Sequence, residues 1–232
     1  MQALTPAELL ALWEAGRPLD PLDRGVLAAR ATAPESEDPA DWPVGRRNRA
    51  LAQLYCAAFG GVLRGWTRCG GCGEQLEFGL DGHSVANAEA GEQSPVNWGG
   101  WRFRLPTSRD LAGAAQEQSE PAATRRLMSA CLVGAEPAGE GWSEGDVKAI
   151  EERLAAADPL AEIRLHFDCP ACSAAFDESL DLCRFVWAAI DSRARRILRD
   201  VHVLALAYGW SEGQILALSP SRRSVYLQMV LG

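Results

Sequence analysis

Apolar residues along the chain recur first at helical spacing. Thr5-Pro6 precedes AELLALWEAG, where Leu9, Leu10 and Trp13 share a face; Thr is placed to cap and Pro occupies the first turn. Asp20-Pro21 repeats the device ahead of LDRGVLAARA, and a polar Pro/Glu/Asp/Ser stretch over 33–42 reads as a surface loop. From Gly45 the run RRNRALAQLYCAAFG predicts a third helix stopped by Gly60-Gly61. Thr107-Ser108 predicts a helix from Arg109, Pro121 opens another through Leu127, Met128 and Leu132, and Ser143 caps a third from Glu144 to about Ala157. The longest helical pattern spans 180–208, with Leu182, Phe185, Val186, Ile190, Ile197, Leu198, Val201 and Leu204 in one stripe that Gly209 ends. Two short helices follow, one from Ser211 through Leu218 and one from Ser219-Pro220 through Val230.

Alternation replaces helical spacing in three places. WRFRL over 101–105 alternates as a strand does, and so do the runs flanking two Cys-x-x-Cys motifs. Segment 62–81, VLRGWTRCGGCGEQLEFGLD, and segment 162–181, EIRLHFDCPACSAAFDESLD, form a repeat at an offset of 100 residues. They share Arg64/Arg164, both cysteine pairs, Leu80/Leu180 and Asp81/Asp181. Residues 82–95 show no periodicity and read as a loop.

The repeat also carries the candidate chemistry. A hairpin presents two thiolates at a tight turn, and Cys69, Cys72, Cys169 and Cys172 on two such hairpins suit one tetrahedral zinc at S–Zn distances of about 2.3 Å. Four thiolates leave no open position for water, so the zinc is expected to be structural. A redox dithiol would sit at a helix N-terminus, whereas each pair here lies between strand-like runs. A metal-free ribbon stays open as an alternative, because Gly73 follows the first pair but Ser173 follows the second. Cys56, Cys131 and Cys183 lie on helical patterns among apolar residues and read as small hydrophobes. His83, His166 and His202 are too scattered for a second site, and most of the eight tryptophans are expected in cores.

Composition narrows the function classes. The net charge of −8 and a pI near 5.0 disfavour an extended nucleic-acid surface, although SRARRILR over 192–199 is locally basic. The basic residues are nearly all Arg. No secretory signal or membrane-spanning run is visible, so a cytoplasmic location is expected. No phosphate loop, nucleophile elbow or acid pair stands out, so an enzyme is not expected. The expected fold is α+β and mostly α-helical, a helical body around a small split zinc ribbon. Its parts are N-terminal helices over 1–61, the ribbon at 62–81 and 162–181, an inserted strand and helices over 82–161, and C-terminal helices over 182–232, together expected to form one cooperative unit.

Several segments in order carry a resemblance: the LLxLWExG-like helix with its Pro-Leu-Asp repeat, the first knuckle followed by LEFxLD, FRLPTSRDL, the second knuckle, and AYGWSEGQILALSPSRRSVYLQMVLG. Together they resemble the baseplate hub assembly chaperones, also described as baseplate proteins, of contractile-tail phages and phage-tail-like contractile injection systems. The resemblance implies a non-enzymatic role through contacts with baseplate, hub, spike or tail proteins. The alternative is a zinc-ribbon regulator that binds nucleic acid. The last two helices either cap the core or dock on such a partner, and in the docking case Trp210, Arg222, Arg223 and Tyr226 make the contact.

Overall fold

The punctuating residues set the helices where their chemistry directs. In the computed structural model, which describes residues 4–89, 95–134 and 142–232, Thr5 caps α1 (Pro6–Gly16) in a reciprocal box with Glu8. Asp20 caps α2 (Pro21–Arg30) through the Leu22 and Asp23 amides. A 3-10 turn at Pro39–Asp41 follows, and Pro39 and Trp42 are buried, so part of the expected surface loop is interior. The next helix, α3 (Val44–Phe59), has no side-chain cap of its own. The buried Asp158 carboxylate, 113 residues away, accepts the Gly45 N–H at 2.8 Å instead. A methyl group on Gly45 would overlap that carboxylate.

The first knuckle is a hairpin of β1 (Val62–Arg68) and β2 (Gln75–Asp81), in register from Val62↔Asp81 to Arg68↔Gln75. Here the structure corrects the sequence expectation for 82–95. Asp81 accepts the His83 N–H and caps a helix, α4 (Gly82–Asn87), whose Val85 and Ala86 are buried. Residues 90–94 of that expected loop lie outside the described residues. A second hairpin, β3 (Val96–Trp98) and β4 (Trp101–Phe103), turns at Gly99 and Gly100, whose φ values of 56° and 86° suit residues without a Cβ. The inserted helices are α5 (Ser108–Ala114), α6 (Glu120–Cys131) and α7 (Glu144–Ala157). The third hairpin, β5 (Arg164–Asp168) and β6 (Ala175–Ser179), carries the second knuckle.

Asp181 repeats the role of Asp81 and caps α8 (Leu182–Tyr208), a helix of 27 residues ended by Gly209 at φ 68°. Two helices complete the chain, α9 (Glu212–Leu216) and α10 (Pro220–Leu231). The architecture is thus α+β, mostly helical, with three separate two-stranded antiparallel sheets among the described residues.

Two apolar clusters hold this arrangement. The larger joins α1, α2, α3, α4, β1 and α8, with Leu51, Leu54, Leu63, Val186, Ile190 and Ala194 at its centre. The smaller lies within the inserted segment, where Phe103, Met128, Cys131 and Ile150 pack with the half-buried Trp98, Trp101 and Trp142. Of the α8 stripe read from sequence, Leu182, Val186, Ile190, Ile197 and Leu204 are buried, while Phe185, Leu198 and Val201 are half-buried against the larger cluster.

Candidate metal centre

Each knuckle is built by the same backbone turn. In the first, the Cys69 N–H donates to the Glu74 carbonyl at 2.9 Å and the Gly73 N–H to the Cys69 carbonyl at 2.8 Å. In the second, Cys169 donates to Ala174 at 2.9 Å and Ser173 to Cys169 at 2.8 Å. The residue after each pair must enter the left-handed region. Gly73 does so at φ 79°, and Ser173 does so at φ 59°, the only non-glycine positive φ among the described residues. The Ser173 departure therefore leaves the turn geometry intact.

The two turns bring all four sulfurs within 4.8 Å of one another. Cys69 Sγ lies 3.6 Å from Cys172 Sγ, and Cys72 Sγ lies 3.6 Å from Cys169 Sγ. Sulfurs about 2.3 Å from a central ion would be separated by about 3.8 Å along a tetrahedral edge, so this spacing fits a metal ion. It is far longer than the roughly 2.05 Å of a disulfide. Cys69 and Cys169 are buried and Cys72 and Cys172 are exposed, so each hairpin contributes one inner and one outer ligand atom. The four cysteines are close enough to bind a metal ion.

Electrostatics around the sulfurs follow from the turns. The Cys72 and Gly71 amides donate to the Cys69 sulfur and hold its thiol down to about 7. The Glu74 amide also lowers Cys72, but the neighbouring sulfurs Cys169, Cys172 and Cys69 outweigh it and push Cys72 up to about 12. The Ala174 amide acts likewise on Cys172, whose thiol is nevertheless raised, with Cys69 and Cys169 opposing its ionisation. Four adjacent thiolates repel, and only a cation between them lets all four lose their protons. These amide donors were missed in the sequence reading, although the repeated knuckle spacing implies them.

Other contacts fix the two hairpins to each other. The Phe78 and Phe167 rings meet edge to face at 5.8 Å, and Phe176 stacks on Phe167 at 5.4 Å. Gly65 makes room for this, because a Cβ there would meet the Phe78 ring at 2.5 Å. The remaining cysteines lie elsewhere. Cys131 is fully buried and burial pushes its thiol up to about 12; burial also raises Cys183 and Cys56. His166 is exposed and pairs with Asp177 at 2.7 Å, which raises its pKa. His83 packs beside Gly61, and His202 is exposed on α8.

The four residues expected at a partner surface divide. Trp210 stacks on Tyr208 at 4.7 Å and meets Tyr226 at 4.9 Å, an aromatic trio in which Trp210 and Tyr226 are half-buried and Tyr208 is exposed. Arg222 is exposed. Arg223 points inward instead: it is 4% exposed, and its guanidinium lies 3.3 Å from the Asp200 carboxylate of α8. It anchors α10 to α8, a role set by tertiary packing that the string SRRS does not disclose.

Among the described residues no helix is long and apolar enough to cross a membrane. Compared with protein-family models, curated proteins and solved structures, the chain matches none.

Proposed function

We propose that Cys69, Cys72, Cys169 and Cys172 hold one structural zinc that closes a split zinc ribbon. We assign the protein to the assembly or structural components of a contractile injection system or phage-like tail, acting without catalysis at the baseplate or hub. The observation carrying the metal reading is the 3.6 Å pairing of sulfurs from hairpins with 96 residues between Cys72 and Cys169. An all-thiolate set of this spacing favours zinc over harder cations and fills its four positions with protein ligands. The tail-assembly reading rests on the order of motifs described above. It is supported by exposed apolar side chains near the C-terminal end, Leu206 on α8 and Val225, Met229 and Leu231 on α10, each at least 48% exposed.

Two measurements test the two halves separately. Elemental analysis of protein purified without chelator is expected to find one zinc per chain, and a Cys72→Ser variant is expected to lose it. Absence of stoichiometric zinc, or retention by the variant, overturns the metal assignment. Affinity capture from cells carrying the surrounding gene cluster is expected to recover tail, hub or spike proteins. Recovery of nucleic acid in a salt-sensitive complex, without tail proteins, selects the zinc-ribbon regulator instead.

A further inference from the structure

A second concave surface lies away from the cysteines, where α8 faces α1 and α2. It encloses about 560 Å³ and is lined by Arg17, Arg24, Arg184 and Arg195, with Trp187 in its wall and Asp191 as its acid. On α8 the positions 184, 188, 191 and 195 recur at spacings of four, three and four, which sets them on one face. Arg17 comes from the C-terminal end of α1, and Arg24 from α2.

These guanidinium groups are oriented before any ligand arrives. Arg24 donates from Nε to the Gly16 carbonyl at 3.0 Å and from Nη2 to the Arg17 carbonyl at 2.8 Å. Its plane lies 5.1 Å from the Trp187 ring, and Arg17 lies 5.0 Å from the Trp13 ring. Asp191 is already engaged, accepting from Trp13 Nε1 at 2.7 Å and from Arg195 Nε at 2.8 Å. Arg184 is likewise engaged, its Nε lying 3.2 Å from the Asp181 carboxylate. The four arginines with Asp181 and Asp191 sum to +2, which leaves −10 on the rest of a chain whose total is −8.

We propose that this concavity is a docking site for a short acidic peptide segment of a partner protein, whose Asp and Glu carboxylates are received by Arg17, Arg184 and Arg195. Planar guanidinium forks match carboxylates in a bidentate manner, and partly ordered ones lose less entropy on binding. The surrounding charge decides the class of ligand. A long polyanion such as nucleic acid would extend past this one face of a chain whose net charge is −8, whereas a segment with three or four carboxylates needs only the face itself. The same α8 face continues through the exposed Arg199 and His202 to Leu206, 76% exposed, about 33 Å from Arg184 at 1.5 Å per residue. An acidic segment followed by an apolar residue is therefore complementary along the helix. The site depends on neither the metal nor the tail-assembly reading.

The test is fluorescence anisotropy on the full chain with a labelled oligoglutamate peptide of about eight residues, against a single-stranded DNA of similar length, at low ionic strength. The peptide is expected to bind, with affinity falling roughly tenfold or more as salt rises from about 50 to 200 mM. Arg17→Ala with Arg195→Ala is expected to weaken binding at least about tenfold, and Arg125→Ala, at an exposed position of α6, to leave it unchanged. Asp191→Asn is expected to tighten binding a few fold, since Asn can still accept from Trp13 while one competing charge is gone. Circular dichroism on each variant establishes that it is folded. Absence of peptide binding, indifference to the double variant, or tighter binding of the DNA overturns the proposal. Self-association abolished by the same double variant also overturns it, because the occupant is then a second copy of this chain.

Discussion

At the scale of single residues, the cysteines were the most legible feature, because ligand identity and turn geometry are both written locally. The repeat aligned Gly73 with Ser173, and the structure shows that both occupy the left-handed region, at φ 79° and 59°. A side chain there costs about 1–2 kcal/mol, and open space around Gly73 means that backbone conformation, not crowding, sets the preference. Ser173→Gly is expected to raise stability by about 0.5–1 kcal/mol, the remainder being offset by the freedom that glycine adds to the unfolded chain. Gly73→Ala should lower it by about 1–2 kcal/mol. Paired denaturant titrations of the two variants check these opposite signs. Arg223 is buried against α8, a placement that the string SRRS does not disclose, because only the packing of α10 on α8 brings it to Asp200.

At the scale of elements, helix boundaries were legible wherever a capping residue and an apolar stripe agreed, as at Thr5, Asp20, Ser143 and Ser219. The short α4 was missed because six residues cannot display a helical period. Its signal was the repeat itself: Leu80-Asp81 matches Leu180-Asp181, and each aspartate caps the helix that follows. The segment 103–110 shows how side chains join elements that sequence pattern leaves separate. Arg104 holds Asp110 with two bonds, at 2.6 and 2.9 Å, and also donates to the Ala130 carbonyl of α6 at 2.7 Å. Burial by itself would raise the Asp110 pKa, but the Arg104 guanidinium and the Thr107 donors outweigh it and hold the carboxyl below its ordinary value. A depressed carboxyl stabilises the fold above its unfolded pKa, and that contribution is lost as pH falls through the lower folded value. Asp110→Asn is therefore expected to destabilise at neutral pH by about 1–3 kcal/mol, with the difference from wild type shrinking below about pH 4. Thermal melts of both proteins across that range measure it. On α8, Ile190→Ala should cost about 2–5 kcal/mol, whereas the half-buried Leu198 should cost about 1–2 kcal/mol on the same change.

At the scale of the whole molecule, the sequence indicated a mostly helical α+β fold but not its two separate cores, since which apolar faces meet is decided by tertiary contacts. The larger core ties together residues from Leu9 to Ile197, while Phe103, Met128, Cys131 and Ile150 form the smaller one within the inserted segment. Polar links join the two, among them Val44 N–H to the Pro106 carbonyl at 3.0 Å, Gly45 N–H to Asp158 at 2.8 Å, Arg47 to Ser108 at 2.9 Å, and Arg109 to Asp38 and Asp41 at 2.9 and 2.6 Å. The Arg109 pairs are exposed and add little stability. Loss of the small core therefore leaves the apolar contacts of the large one in place. The inserted helices are expected to open as a local unit, below the free energy of global unfolding. Ile150→Ala separates the cases, because Ile150 is fully buried in the smaller core and lies outside the larger one. Hydrogen exchange is expected to speed up across α6 and α7 in this variant, while amides of α3 and α8 keep their wild-type protection and bound metal is retained. Equal acceleration in α8 would mean that the two cores unfold as one.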